Sequence, residues 1–524
     1  MQEEMEILYN SIAVLFAFIL STFLYKFLDW VWVKPRRIQR VLRHQGFSGN
    51  SYKPLIGDLV EIGVCTLKAN RAGPLDNLSD DISTRILPFL HDAIQRYGKR
   101  PIMWFGTTPA VIILEPELIK EMLANYTTFH KPNQTAMLEV AKGLFACEAD
   151  RWPMNRRIIN PAFHMEKLKV MVPAFCESIG ELLDKWDNIV KPEGSEVNVW
   201  PHVNIFTSDA IARTAFGSNF EEGRNIFSNL AELAMLIHEL GPFAFIPQYW
   251  VLPTRMKMKI QRKRRQVRGL VREVVLKRME EMRAGKAAAS ATDLLGILLE
   301  SNLEETKNGN MKKGLSIEEV IEECKLFYLG GQETITNFIT WSLIFLGKHL
   351  EWQQRLRDEI IQVLGVANIQ SLDFSKLNQL KIMNMVLNEV LRLYPLAPAL
   401  HRETREDTKL GNIMLPAGVN IVVPLPSLHR DKDLWGDDAL EFKPERFKDG
   451  ISKASKTLGV YYPFSGGPRT CIGQNYALVE TKVALAAILQ RFSFQLSPSY
   501  KHDPKVILTL QPGSNEANLI LRKL

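Results

Sequence analysis

The sequence predicts a mainly α-helical body with a small β part, preceded by one N-terminal transmembrane helix. Three observations predict it. The run from Ile7 to Tyr25, "ILYNSIAVLFAFILSTFLY", carries no charge and is long enough to cross the hydrocarbon core of a bilayer. From about Asp150 to Leu350 the pattern is mostly helical. Short apolar runs punctuated by Gly and Pro, in "RPIMWFGTTPAVIILEP" and "GNIMLPAGVNIVVPLP", read as strands.

Composition bounds the classes that remain. The 524 residues are 46% apolar and 23% charged, as in an ordinary globular protein. No repeat or linker divides them, so the chain reads as an anchor over residues 1–33 and one large domain over residues 34–524. The five cysteines, Cys65, Cys147, Cys176, Cys324 and Cys471, are scattered and form no CxxC pair. That argues against a disulfide framework and fits a body kept in a reducing compartment. The net charge of +7 suits an anionic membrane surface or an acidic protein partner. The basic residues are not clustered with stacking aromatics, which argues against nucleic acid as a partner.

Taken in order, the elements carry their own reasons. Glu3, Glu4 and Glu6 precede the apolar run, and Lys26, Lys34, Arg36, Arg37, Arg40 and Arg43 follow it. This asymmetry places the start in the lumen and the body in the cytosol, with Trp30 and Trp32 at the interface. The acidic start and the lack of a small-x-small site argue against a cleaved signal peptide. Two strands, around Ile102–Phe105 and Val111–Leu114, are joined by Gly-Thr-Thr-Pro, and Pro116 opens a helix. "RAGKAAASAT" (283–292) and "SNLEETKNGNMKKG" (301–314) read as loops. Ser316 and Glu319 form a capping box that starts a long helix. Strands and loops follow Pro395, and the last helix runs from near Gln474 to near Phe492.

That helix emerges from "YYPFSGGPRTCIGQNYALVETK" (461–482), three glycines and two prolines around one cysteine. A thiolate is a strong ligand for iron, and its charge needs stabilising. Gly466, Gly467 and Gly473 let the backbone turn closely around the sulfur and leave one face open to a flat partner. Peptide N–H groups ahead of a helix N-terminus favour the anion, Arg469 supplies a cation, and Phe464 offers a ring to pack near the metal. The spacing Phe464-x-x-Gly467-x-Arg469-x-Cys471-x-Gly473 resembles the haem-ligand loop of the cytochrome P450 superfamily. The resemblance implies that fold, haem b as cofactor and Cys471 as its axial ligand.

Other motifs extend the resemblance along the whole chain. Glu389-x-x-Arg392 and the Arg446 of "FKPERF" match a Glu, Arg and second Arg that form a buried ion network beneath the haem loop in the superfamily. "DRWPMNRRIINPAF" places Trp152 and Arg156 at i, i+4, matching a Trp-x-x-x-Arg motif that meets a haem propionate. Arg469 and Arg402 are the further matches for the propionates. In "YLGGQETITNFITW" (328–341), two adjacent mid-helix glycines cost about 1 kcal/mol each relative to alanine. Gly330-Gly331-Gln332-Glu333-Thr334 matches the superfamily's oxygen-binding groove. This implies that Thr334 hydrogen-bonds the bound oxygen species and that Glu333 connects it to solvent protons for O–O cleavage. Ile335 departs from the family, which usually has a second hydroxyl residue there.

Finer detail points to a plant clan. "WVWVKPRRIQRVLRHQGFSGNSYKPLIGDL" (30–59) and "LPSLHRDKDLWGDDALEFKPERF" look like the clan that includes secologanin synthase, triterpenoid oxidases and gibberellin oxidases. The reading is therefore an endoplasmic-reticulum-anchored monooxygenase, monomeric in the membrane, acting on an apolar terpenoid of triterpenoid, iridoid or gibberellin type. Electrons would come from NADPH through a separate reductase, because no nucleotide-binding glycine motif follows a strand. Two other classes remain open: a haem-thiolate isomerase or dehydratase that uses no dioxygen, and a non-catalytic haem-binding membrane protein. Dependence on NADPH and dioxygen separates the first, and any turnover excludes the second. A last expectation concerns "GPFAFIPQYWVLP" (241–253), uncharged, proline-rich and aromatic, which reads as a segment dipping into the membrane beside the substrate entrance. The basic run behind it, residues 254–268, would meet anionic headgroups.

Overall fold

The computed structural model describes residues 2–132, 140–148, 150–241, 254–284, 293–307, 314–365 and 372–524. The segment 241–253 lies almost wholly outside the described residues.

The N-terminal helix does not stop where the apolar run stops. Gln2–Leu28 is α-helical, Asp29–Val33 takes a π turn, and Lys34–His44 continues as α-helix. The π turn has a local cause. In a regular helix the Val31 carbonyl would accept from the N–H of residue 35, but Pro35 has none. The Tyr52 hydroxyl donates to that carbonyl instead, at 2.7 Å, and the Tyr52 ring packs on Trp104 at 4.6 Å between centroids. Gln39 adds two bonds, donating to the Asn50 carbonyl and accepting from the Tyr52 N–H. The N-terminal helix is thus joined to the body by a hydrogen-bonded corner. The side chains of Leu8 through Phe23 are exposed, as an apolar membrane span requires.

The six-stranded sheet runs in the order Ser48–Gly49, Pro101–Phe105, Thr108–Ile112, Asn420–Pro424, Ala399–Thr404, Phe129–His130. The strand expected at Val111–Leu114 starts earlier. Only Gly106 and Thr107 form the turn, with Gly106 at φ +61°, so Phe105 pairs directly with Thr108. The sheet brings distant segments to one edge: Arg402 pairs with Ile421, and His130 with Glu403. A three-stranded sheet, Phe492–Leu496, Asn518–Lys523 and Ser195–Asn198, closes the chain.

Two apolar cores hold the body. One lies against the larger sheet around Trp104, Val111, Ile421 and Trp435. The other is helical and surrounds Ile317–Lys348 and Gln474–Arg491, the latter buried nearly all round. The capping box is present: Ser316 Oγ accepts from the Glu319 N–H, and the Glu319 carboxylate accepts from the Ser316 N–H. The expected loop 301–314 is corrected over its first half, because Leu294–Lys307 is helical. Asn302 explains this, since its amide bonds both the N–H and the carbonyl of Leu315 and draws the helix end against the next cap. The basic run lies in the helix Arg255–Arg283, where the exposed Arg268 and, just beyond the run, Arg272 pair with Glu318.

Candidate active site

Cys471 sits one turn ahead of the helix Gln474–Arg491, for which Gly473 is the N-cap. Its N–H donates to the Phe464 carbonyl at 2.9 Å, which folds the loop over on itself. The three glycines divide the work. Gly467 has φ +66°, and a Cβ there would lie 2.2 Å from the Leu123 carbonyl oxygen. A Cβ at Gly466 would press on the Tyr462 ring and Leu123. Only Gly473 faces the sulfur, 4.0 Å from where its Cβ would stand. Phe464 is half-buried against the helical core.

The Cys471 side chain is exposed, yet the surrounding protein desolvates it. It therefore opens inward rather than onto the outer surface. Burial pushes the thiol up, while the Gly473 N–H, Arg156 and Lys131 pull it down. Arg469, expected to be the stabilising cation, is turned elsewhere. Its guanidinium meets the Glu148 carboxylate at 2.9 Å, donates to the Cys147 carbonyl at 2.9 Å, and lies 4.8 Å over the Trp152 ring.

The predicted cations do converge. Arg156, on the helix Arg151–Ile159, donates to the Thr470 carbonyl at 2.9 Å and to Asn160 at 2.8 Å. Trp152 shares its face and is buried beneath Arg469. Arg402, only 3% exposed, uses one nitrogen on the His401 carbonyl, and its Nε and Nη2 have no partner among the described residues. Burial first, and Arg469 second, lower the Arg402 guanidinium to about 10.

Two members of this cluster escaped the sequence reading. Burial, then the repulsion of Arg402 and Arg469, lowers the Lys131 ammonium to about 7. Glu148 is the counter-charge, accepting from His130 at 2.9 Å and facing Arg469. Four cations thus gather around one carboxylate and a thiol. The only signal for Lys131 is its place beside a strand that pairs with the strand of Arg402, a contact no local spacing reveals.

Beneath the loop, Glu389 and Arg392 form a fully buried pair at 2.7 and 2.8 Å. Arg446 Nε approaches Glu389 at 3.6 Å and Arg446 also pairs with Asp438 at 2.9 Å. Arg392 donates to the His429 carbonyl, and His429 Nε2 accepts from the Tyr462 N–H at the base of the cysteine loop. The expected ion network exists and reaches the loop through His429.

On the long helix the two glycines differ. A Cβ at Gly330 would meet only Leu326 of its own helix, at 4.0 Å, so that side is open. A Cβ at Gly331 would lie 2.8 Å from Ile211 Cδ1, so Gly331 serves the close approach of the helix Val199–Phe216. The expectation that both glycines open a groove is corrected to Gly330 alone. Thr334 Oγ1 donates to the Gly330 carbonyl at 2.6 Å. Glu333 accepts from Thr509 Oγ1 at 2.9 Å, and burial pushes its carboxyl up against the pull of the Thr509 bonds. No hydrogen bond joins Glu333 to Thr334 among the described residues. Ile335 is buried.

An inward-facing thiol at a helix N-terminus, ringed by cations with orphaned donors, suits an iron porphyrin. The thiolate would hold the metal of such a group, and the cations would hold its two carboxylates. The residues present fit that group, which defines a haem-thiolate protein. Residues 78–518 match the family model "Cytochrome P450". Cytochrome P450 72A397 of Kalopanax septemlobus is 47% identical over 503 residues, covering 95% of both chains. Cytochrome P450 72A15 of Arabidopsis thaliana is 46% identical over 517 residues, covering 98% of both. The 7-deoxyloganic acid hydroxylase of Catharanthus roseus is 44% identical over 528 residues, covering 99% of this chain and 100% of its own. The chain belongs to the cytochrome P450 family, within the plant group of these relatives, and is a monooxygenase whose cofactor is haem b with a cysteine thiolate ligand.

Proposed function

We propose that this protein is an endoplasmic-reticulum monooxygenase that hydroxylates or further oxidises an apolar plant terpenoid of triterpenoid, iridoid or gibberellin type. Cys471 is the axial ligand. Arg156, Arg402 and Arg469, with Trp152 packed beneath Arg469, hold the two carboxylates of the cofactor, and Lys131 adds a fourth cation. Phe464 packs beside the ligand loop. When bound, haem supplies dioxygen activation and oxygen insertion.

The chain's own residues set the protons and the surroundings. Glu333 is desolvated, so its carboxyl holds a proton closer to neutral pH than a surface glutamate does, as a proton donor needs. Thr334 is fixed by the Gly330 carbonyl beside the open side of the helix and orients what binds there. Electrons arrive from NADPH through a separate membrane reductase, and the protein acts as a monomer with its body in the cytosol. One relative is named as a hydroxylase of 7-deoxyloganic acid, which favours hydroxylation of a small metabolite.

The observation that carries this reading is Arg402, a buried guanidinium with two nitrogens unpartnered among the described residues, within the cation cluster around Cys471. The full chain in yeast microsomes with a plant reductase tests it. The reduced carbon monoxide complex is expected to show a red-shifted Soret band, with NADPH- and dioxygen-dependent product from a terpenoid panel. Cys471→Ser is expected to abolish both. Survival of the band in that variant overturns the assignment.

A further inference from the structure

Glu333 is held by a residue far along the chain. Thr509 lies in the turn between the strands Pro504–Val506 and Leu510–Pro512. Its Oγ1 donates to the Glu333 carboxylate at 2.9 Å. Thr509 Oγ1 is itself approached by Asn337 Nδ2 at 2.9 Å, and Asn337 Oδ1 by Trp200 Nε1 at 3.1 Å. Asn337 is fully buried.

From Trp200 to Thr509 this chain has one possible direction. An indole N–H can only donate, so the Asn337 oxygen must face Trp200. Its amide NH2 is then left for Thr509, where it occupies a lone pair. With Glu333 Oε1 as its acceptor, the single hydroxyl hydrogen of Thr509 points at Glu333. With Glu333 Oε1 accepting, the indole, amide and hydroxyl hydrogens of this chain are all oriented.

We propose that Thr509 is a positioning residue for Glu333: through this one-way chain it holds the carboxyl in place for proton delivery and couples that delivery to the C-terminal turn. The inference rests on the reading that Glu333 supplies protons. Two electrons and two protons convert dioxygen to hydrogen peroxide; four electrons and four protons convert it to two waters. A displaced Glu333 shifts the balance toward peroxide, with NADPH through the reductase as the reductant.

The test uses the full-length holoenzyme in microsomes with reductase, NADPH and no added substrate, reading peroxide released per NADPH consumed. Thr509→Val is expected to raise that ratio by about threefold or more, the scale of one lost hydrogen bond. Thr509→Ser, which keeps the hydroxyl, is expected to restore it. Glu333→Gln is expected to raise the ratio as well, and the double variant to do no more than Glu333→Gln alone. The carbon monoxide band reports that each variant is folded. In infrared difference spectra, the carboxyl stretch that vanishes in Glu333→Gln is expected to move to higher frequency in Thr509→Val. A wild-type ratio in Thr509→Val, no rescue by serine, or additive effects in the double variant overturns the positioning role. A wild-type ratio in Glu333→Gln overturns the reading of Glu333 itself, and the inference with it.

Discussion

Gly330 and Gly331 stand side by side and serve different ends. Successive side-chain positions on a helix point about 100° apart, so two identical letters meet different surroundings. Gly331→Ala should press a methyl into Ile211 and cost about 1–3 kcal/mol, more than the roughly 1 kcal/mol gained in helix propensity. Gly330→Ala meets no other element, so it should keep or raise thermal stability while narrowing the open side and lowering turnover. Melting temperatures of the two holoproteins check this, and adding Ile211→Val should recover part of the Gly331→Ala loss. Equal melting temperatures would sink the distinction. The same limit governed the cations. Arg156, Arg402 and Arg469 were legible because each sits in a local motif. Lys131 and Glu148 were not, because they join the cluster only through strand pairing and chain reversal. A legible residue's contacts still need the fold: Arg469, read as a cation of the cysteine loop, is turned toward Glu148, and Arg156 and Lys131 act on the thiol.

At the scale of elements, the long helix Ile317–Lys348 ties the body together from its first turn. Glu319 completes the cap and also pairs with Arg151 of the helix that carries Trp152 and Arg156. Glu323, one turn on, is 1% exposed and accepts from the Leu144 N–H at 2.9 Å, while its other oxygen has no partner among the described residues. Burial, reinforced by Glu319 and Glu322, raises its carboxyl from the ordinary 4.5 to about 8. The folded chain therefore binds a proton that the unfolded chain has lost, and stability contributed by this site falls as pH rises from about 4.5 to 8. The full loss is on the order of 5 kcal/mol. Glu323→Gln should melt at a higher temperature than the parent at pH 8.5 or so and show little difference at about pH 5, by the same linkage. A gap that does not widen with pH would show that Glu323 is ionised in the fold throughout. The helix start was legible from Ser316 and Glu319 alone, since a capping box is a local device. The helix over 301–307 was not, because polar residues there are held by Asn302 reaching Leu315, a contact that composition conceals.

At the scale of the whole molecule, the long apolar N-terminal helix was readable from its uncharged run, and its joint to the body was not. Tyr52 stands 21 residues from Val31, and nothing local marks it as the donor that Pro35 withholds. Tyr52→Phe leaves the buried Val31 carbonyl without that donor, at a cost of about 1–3 kcal/mol. Limited proteolysis of the membrane-bound protein should then cut faster between residues 29 and 52, with the carbon monoxide band unchanged. Identical cleavage rates would mean that the corner is stiff without the hydroxyl. The apolar helix with its continuation spans 41 residues, roughly 60 Å, about twice a hydrocarbon core. With the first helix in the bilayer, as proposed, the hydrogen-bonded corner at Val31, Gln39 and Tyr52 would restrict how far the body nods or tumbles against the lipid surface. Meeting a second membrane-bound protein would then be a search over fewer orientations than the full set that slows the docking of freely diffusing proteins.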